Sequence, residues 1–211
     1  MSTIDALLES AGQTFADEAG IALEDEPAPL YLLLVLSVLL SRRVQAQLGL
    51  RACRELIDSG MGTPERMRDA SWEERIQALG RAKYRSTEQT ATALGEGAQL
   101  VLDERGGDLR RMREAADGDA DRLRGFLTTV PRLGPVGADI FTREVQAVWP
   151  EFRPHLDAKA LAGAGKLGLP QDPQELAGQV AGDDLARLDA ALVRADRDDD
   201  FREEVERDDQ L

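Results

Sequence analysis

The residues that build metal and redox centres are almost absent from this chain of 211 residues. It has one cysteine, Cys53, and one histidine, His155. A single cysteine excludes an internal disulfide and any all-cysteine zinc or iron–sulfur site within one chain. A single histidine excludes a multi-histidine metal centre. We therefore expect no metal and no cofactor, and in particular no iron–sulfur cluster.

Long apolar stretches are also lacking. The most apolar run, Leu30 to Leu40, is about half of the roughly 20 residues that a membrane span needs, and it predicts a helix that is buried on all sides. The N-terminal residues MSTIDALLES lack the basic segment of a secretory signal. We expect a cytoplasmic protein without a membrane partner, in keeping with an unpaired cysteine. The tyrosines and tryptophans have apolar neighbours and are predicted to be core residues: Tyr31, Trp72, Tyr84 and Trp149.

Lysine is scarce as well, with three residues, and 40 acidic against 26 basic residues give a formal net charge of −14. Such a charge opposes nucleic-acid binding, because phosphate neutralisation needs a basic surface. The acids are concentrated at the ends, however: residues 1–30 carry −7 and residues 196–211 carry −6, which leaves −1 for residues 31–195. The acidic ends are most simply solvated faces, and the overall charge does not exclude DNA binding by the body of the chain.

Helical signals occupy the rest of the sequence. Ser71 and Glu74 form a capping box, Pro64 takes the favoured first position of a helix, and a long helix is predicted from about Lys83 to Glu104. No segment alternates polar and apolar residues as a half-buried strand does. No internal repeat, phosphate loop or dinucleotide-binding glycine motif is present. The sequence predicts an all-α protein.

Residues 127–141, LTTVPRLGPVGADIF, predict two helices joined by a tight glycine hairpin. A glycine hairpin allows backbone amides to approach a phosphate, and the N-terminus of the second helix favours the same charge. The segment resembles the helix–hairpin–helix motif of the endonuclease III family of DNA glycosylases, whose hairpin reads leucine-proline-glycine-valine-glycine-arginine-lysine-threonine-alanine. A simple turn between two packed helices is the alternative interpretation.

Three further matches to this family follow in the same order along the chain. The family has a buried helix that ends in leucine-leucine-serine, here residues 39–41. It has an isoleucine-x-x-isoleucine-glycine element before a long helix, here residues 76–80. It has a tryptophan-proline turn before a helix that starts with valine-aspartate-threonine-histidine, here residues 149–150 and 156–159. On these matches, which cover roughly residues 29–170, the chain resembles a divergent member of the superfamily.

The resemblance implies a two-lobed helical fold with a cleft between the lobes. A six-helix module would span residues 29–136 and end in the hairpin. Residues 1–28 and 137–195 would form the second lobe, and residues 196–211 an acidic tail. Double-stranded DNA would bind across the cleft with the target nucleotide flipped out of the duplex, and we expect the protein to act as a monomer.

The resemblance also points to Asp157 as the catalytic carboxylate. It would stabilise the oxocarbenium-like sugar as the base leaves, and would activate the attacking water. Capping the helix that it begins is the simpler role for an aspartate at this position. Bifunctional members of the family carry a lysine where this sequence has Val136, which cannot be a nucleophile. The resemblance therefore implies base removal without a lyase step at that position.

Contacts to DNA are expected, on the same grounds, in the hairpin, at two positions where the family inserts residues into the duplex, and beside Asp157. The residues are Arg132, Leu133, Gly134, Val136, Arg43, Arg81 and Lys159. Arg132 replaces the first hairpin glycine and would be strained if that position requires a positive φ. Solvated side chains are the alternative for the arginines at 43 and 81 and for Lys159.

Three functions are consistent with these observations. The first is a DNA glycosylase that hydrolyses the N-glycosidic bond of a damaged or mismatched base. The second is a non-catalytic helix–hairpin–helix protein that binds DNA. The third is a helical interaction protein that shares only the packing. A hairpin buried beneath another helix would exclude both DNA-binding functions.

Overall fold

The computed structural model describes residues 2–42 and 44–209 of the chain. These residues form helices and turns without a strand, which confirms the predicted all-α class. The helices, in chain order, are α1 Thr3–Ala11, α2 Phe15–Glu18, α3 Pro27–Leu40, α4 Ala46–Asp58, α5 Pro64–Asp69, α6 Trp72–Arg81, α7 Thr87–Arg105, α8 Arg110–Ala116, α9 Ala120–Leu127, α10 Gly134–Val145, α11 Ala158–Lys166, α12 Pro173–Ala177, α13 Leu185–Arg197 and α14 Asp199–Asp209. Within the described residues, none of these helices is both long and apolar enough to cross a membrane.

The chain divides into two compact units. Residues 16–142 form the central unit, and residues 1–15 together with 143–211 form the terminal unit. The resemblance implies domain boundaries after residues 28 and 136, whereas the chain passes from one compact unit to the other after residues 15 and 142. The acidic segment before α3 belongs to the central unit because arginines hold it there: Arg54 donates to the carbonyl of Glu18 and Arg113 pairs with Asp25.

Helix α3 is the core of the central unit. Nine of its fourteen residues are buried, because leucine and valine side chains surround the whole helix, and this confirms the prediction of a helix buried on all sides. Burial of such a side chain stabilises the fold by about 1.5–3 kcal/mol. Tyr84 secures the C-terminal end of the helix, since its hydroxyl donates to the carbonyl of Leu39 at 2.8 Å.

Helix α13 has the same role in the terminal unit, where nine of its thirteen residues are buried. Helix α11 packs directly on its backbone at Gly163, where an added Cβ would lie 2.0 Å from the carbonyl oxygen of Leu192. Arg187 and Arg194 reach from α13 to the end of α1 and donate to the carbonyls of Gly12 and Gln13. They satisfy acceptors that lack partners within the helix.

The acidic C-terminal segment is helical through residue 209. Helix α14 packs against α1, and Val205 on α14 is fully buried. Counted by unit, the formal charge is −10 for the terminal unit and −4 for the central unit. The excess acid therefore belongs mainly to the terminal unit.

Candidate active site

Asp157 is the N-cap of helix α11, as its position in the sequence predicts. Its Oδ1 accepts hydrogen bonds from the backbone N–H groups of Lys159 (2.8 Å) and Ala160 (3.0 Å). These donors have no partner within the helix, so the carboxylate satisfies them and gains from the positive end of the helix dipole. One oxygen of Asp157 is thereby fixed by the backbone.

The other oxygen of Asp157 is bound by Arg143, in the last turn of α10. Arg143 Nη1 donates to Asp157 Oδ2 at 2.9 Å, and the two side chains are 3% and 10% exposed. The guanidinium carbon of Arg143 lies 5.2 Å from the centre of the Phe15 ring, a distance at which the π-system attracts the cation. The Asp157 carboxylate is therefore held in one orientation by three donors, with a small part of its surface open to solvent.

These contacts determine the ionisation of Asp157. Burial raises the pKa of its carboxyl group, but the charge of Arg143, the two backbone hydrogen bonds and the charge of His155 outweigh burial and lower the pKa below its usual value. The group is therefore an anion at neutral pH. It is a weak proton acceptor and a strong electrostatic partner for a developing cation.

The loop between α10 and α11 is braced by one buried amide. Gln146 Nε2 donates to the carbonyls of Arg143 and His155, both at 2.9 Å, and its Oε1 accepts from the N–H of His155. Arg153 donates to the carbonyls of Gln146 and Ala147. The predicted break at Trp149-Pro150 is a short 3₁₀ turn beside a fully buried tryptophan ring. This bracing positions Asp157 relative to α10.

Two further carboxyl groups, which the sequence did not single out, lie in the same unit. Glu144 is fully buried, and its Oε1 is 3.7 Å from Arg143 Nε. Asp189, on α13, is also fully buried, and within the described residues neither of its oxygens has a hydrogen-bond partner. Their burial arises from contacts between helices, so no local signal in the sequence could reveal it.

Lys159 is half-buried beside this cluster. Burial lowers the pKa of its ammonium group, and the positive charge of Arg197 lowers it further, while Asp157 opposes the shift. Cys53 is fully buried in the central unit, and burial raises the pKa of its thiol to about 12. Such a thiol is inert. Among residues 2–42 and 44–209, no group of three or more His, Cys, Asp or Glu side chains is placed to hold a metal ion.

The glycine hairpin is exposed. Pro135 and Val136 lie at the surface, Val136 being 49% exposed. Within the described residues, the N–H groups of Gly134 and Val136 donate to no other protein group. Gly134 has φ +61° and begins α10. The hairpin therefore combines two amides that have no protein acceptor with a helix N-terminus, the arrangement that favours an anion.

Arg132 adopts the left-handed conformation, with φ +65°. A non-glycine residue there is strained by about 1–2 kcal/mol. The side chain turns back onto α7, where Nη1 donates to Gln89 Oε1 at 2.8 Å. Leu133 is 2% exposed, its N–H donates to the carbonyl of Val130, and its carbonyl accepts from Gly137. Leu133 therefore anchors the hairpin to the core, because the helical turn directs its side chain inward, and a contact between Leu133 and DNA stays a prediction.

The other expected DNA contacts are divided between the two units. Arg81, in the central unit, donates to Glu55 and Ser59 with 51% of its side chain exposed. Arg43 lies outside the described residues. Asp157 and Lys159 belong to the terminal unit, whereas Arg81 and the hairpin residues from 132 to 136 belong to the central unit.

Trp72 lies at the surface, so the prediction of a core residue is wrong at this position. The residue is 40% exposed, and its indole N–H donates to Thr92 Oγ1 at 3.1 Å. Its position explains this: Trp72 is the first residue of α6, directly after the capping serine. The other three large aromatic residues are in the core as predicted: Tyr31, Tyr84 and Trp149.

Comparison with known proteins shows which solved structure has a similar fold. No protein-family model and no curated protein matches the sequence. A solved structure of a trapped endonuclease III–DNA covalent intermediate, an estranged-adenine complex, matches with a TM-score of 0.54 over 90% of this chain and 81% of that chain. The chain shares the fold of endonuclease III. The sequence identity is 15%, so the similarity establishes the fold, and the chemistry has to be argued from the residues described above.

Proposed function

We propose that this protein is a DNA glycosylase that hydrolyses the N-glycosidic bond of a damaged or mismatched base. In this proposal it acts as a monomer on double-stranded DNA with the target nucleotide flipped out of the duplex. The observation that carries the proposal is Asp157: an oriented, ionised carboxylate at the N-terminus of a helix, in a protein with the endonuclease III fold.

The role of Asp157 in this proposal is electrostatic. As the base departs, the sugar acquires positive charge, and a fixed carboxylate stabilises that charge without having to reorganise. The lowered pKa of Asp157 makes it a poor general base at neutral pH, since an efficient base has a pKa near the operating pH. Stabilisation of the sugar cation is therefore its main contribution, and activation of the attacking water is secondary.

The hairpin supplies the proposed DNA contact. The free N–H groups of Gly134 and Val136 and the N-terminus of α10 would bind one backbone phosphate. Val136 carries no amine, so the hairpin offers no nucleophile for a covalent intermediate with the sugar. We therefore propose base removal without strand cleavage at this position.

One observation favours a second function, a non-catalytic DNA-binding protein. The Asp157 oxygen that is not used for capping is bound to Arg143 at 2.9 Å, and the adjacent cation offsets part of the negative charge available to a sugar. Both functions need the exposed hairpin, but only the glycosylase releases a base.

The experiment that separates them is a screen for base release. The purified protein is incubated, at low and high salt, with duplexes that carry an alkylated, deaminated, oxidised or mismatched base, and each sample is divided before alkali treatment. We expect one class of duplex to be cleaved only after alkali, which marks an abasic site left by hydrolysis. If the duplexes are bound but none yields a product, the non-catalytic function is correct. Cleavage before alkali would contradict the absence of a lyase step.

A further inference from the structure

The candidate catalytic carboxylate belongs to a cluster of four charged side chains in the terminal unit. Arg143 and Glu144 come from the last turn of α10, Asp157 from the start of α11 and Asp189 from the middle of α13. Three of these side chains are acids and one is a base. If all four were ionised, the cluster would carry a net charge of −2 away from water, which is costly because buried charges need partners.

Asp189 is the member whose charge is least supported. Its relative exposure to solvent is 0%, and within the described part of the chain no group donates a hydrogen bond to either carboxyl oxygen. Burial raises the pKa of its carboxyl well above the usual value, the positive charge of Arg143 opposes the shift, and the negative charges of Asp157 and Glu144 add to it. A carboxyl group in such surroundings keeps its proton rather than its charge.

The protonation of Asp189 determines how Arg143 is shared. The single guanidinium places Nη1 at 2.9 Å from Asp157 and Nε at 3.7 Å from Glu144. The positive charge of Arg143 also acts on Asp189, so an ionised Asp189 would compete with Asp157 for this cation, whereas a protonated Asp189 would not.

We propose that Asp189 holds a proton at neutral pH and that this proton commits Arg143 to Asp157, so that Asp189 and Arg143 are positioning residues for the candidate catalytic carboxylate. Their role in base release rests on the proposed function. The linkage between the three side chains does not, because it concerns the protein alone.

Other titratable and charged groups face the same cluster and have to be controlled. His155 from the loop and Lys159 from α11 both act on the charge of Asp157. Arg194 of α13 lies over the Phe15 ring, which Arg143 also contacts. Since Lys159 also loses charge at alkaline pH, its replacement by glutamine is the matched control for any alkaline change attributed to Asp189.

The experiment compares the intact protein with Asp189→Asn and Lys159→Gln. Carbon NMR follows the side-chain carboxyls of Asp157 and Asp189 from about pH 6 to about pH 10, above the usual carboxyl pKa, and Asp157→Asn and Asp189→Asn identify the two signals. We expect the Asp189 signal to report a protonated acid at neutral pH in the wild type and in Lys159→Gln, and the Asp157 signal to show a step wherever the Asp189 signal reports ionisation. We expect no such step in Asp189→Asn, because an amide has the size of the protonated acid but cannot ionise.

Base release over the same pH range is the second readout. The shape of each pH profile is compared: Asp189→Asn should lack the decrease in rate that accompanies ionisation of Asp189 in the wild type, a decrease that follows one proton and so reaches about tenfold per pH unit. An Asp189 signal that reports an ionised carboxylate at neutral pH, or an alkaline step of Asp157 that persists in Asp189→Asn, overturns the proposal. Because the NMR measurement needs no substrate, a protein that releases no base would refute the glycosylase function and leave the linkage to be judged on its own.

Discussion

Asp157 has two separable contacts, and a comparison with Asp172 measures each of them. Asp172 is exposed and caps α12 in the same way, accepting from the N–H groups of Gln174 (2.9 Å) and Glu175 (3.0 Å). It has no counterpart of Arg143 among the ion pairs of the described residues. Replacing each aspartate by asparagine and by alanine therefore gives four variants in which capping and ion pairing vary independently.

The magnitudes follow from the geometry. Asparagine is about as good an N-cap as aspartate, so Asp172→Asn should cost only the helix-dipole contribution of a surface charge, about 0.3–1 kcal/mol. Asp157→Asn also weakens the hydrogen bond between charged groups at Arg143, which adds about 1.5–3 kcal/mol. Replacement by alanine removes the cap, and should cost about 1 kcal/mol more than asparagine at either position.

Urea unfolding followed by circular dichroism measures these differences, since the free energy of unfolding falls linearly with denaturant. The excess cost at Asp157 should be full above about pH 4, the pKa of an unfolded aspartate, and should disappear as the pH falls through the lower pKa of the folded state. Equal costs for asparagine at the two positions would refute the contribution of Arg143. Equal costs for asparagine and alanine at Asp157 would refute the contribution of the cap.

Three further predictions concern other parts of the chain. Asp189→Asn should stabilise the protein relative to the wild type increasingly as the pH rises above about 4, by about 1.4 kcal/mol per pH unit up to the raised pKa of Asp189. The reason is that the folded wild type must keep a proton that the unfolded chain releases. Urea unfolding tests this, and a difference in unfolding free energy that does not change with pH would contradict it. Gly163→Ala should destabilise the protein by about 1–3 kcal/mol or more, since its Cβ would meet the backbone of Leu192. Gly80→Ala has open space and should stabilise α6 by about 0.5–1 kcal/mol. Thermal unfolding measures both effects, and equal effects would refute the close approach of α11 to the Leu192 backbone. Val136→Glu should weaken binding to duplex DNA about tenfold, because a negative charge would face the bound phosphate, while Val136→Gln should change binding little; fluorescence anisotropy titrations test this, and unchanged binding by the glutamate variant would show that the hairpin does not contact DNA.

Features with a local physical cause were predictable from the sequence. The capping box of Ser71 and Glu74 makes both of its expected hydrogen bonds, and Asp157 caps the helix that follows it. The long helix predicted from about Lys83 begins instead at Thr87. Lys83 and Ser86 have left-handed backbones, with φ values of +57° and +58°, so a turn occupies the predicted first residues of the helix.

Features that depend on packing between helices were not predictable. Arg143, Glu144 and Asp189 are charged residue types that are almost never fully buried unless paired, and only the packing of separate helices removes them from water. Trp72 is the reverse case: a large aromatic residue belongs in the core by type, but its place at the start of α6 leaves it exposed. The sequence thus indicated the candidate carboxylate itself, and the structure identified the groups that orient it and lower its pKa.

The account depends on Asp157 acting as the charge that supports base release. The most direct measurement is the single-turnover rate of base release from the duplex found active in the screen, for the wild type, Asp157→Asn and the capping control Asp172→Asn. We predict that Asp157→Asn, which keeps the helix cap, loses about a hundredfold or more in rate, as removal of one fixed electrostatic group typically does, and that Asp172→Asn retains the wild-type rate. A rate for Asp157→Asn within about twofold of the wild type, far short of such a loss, would contradict the account.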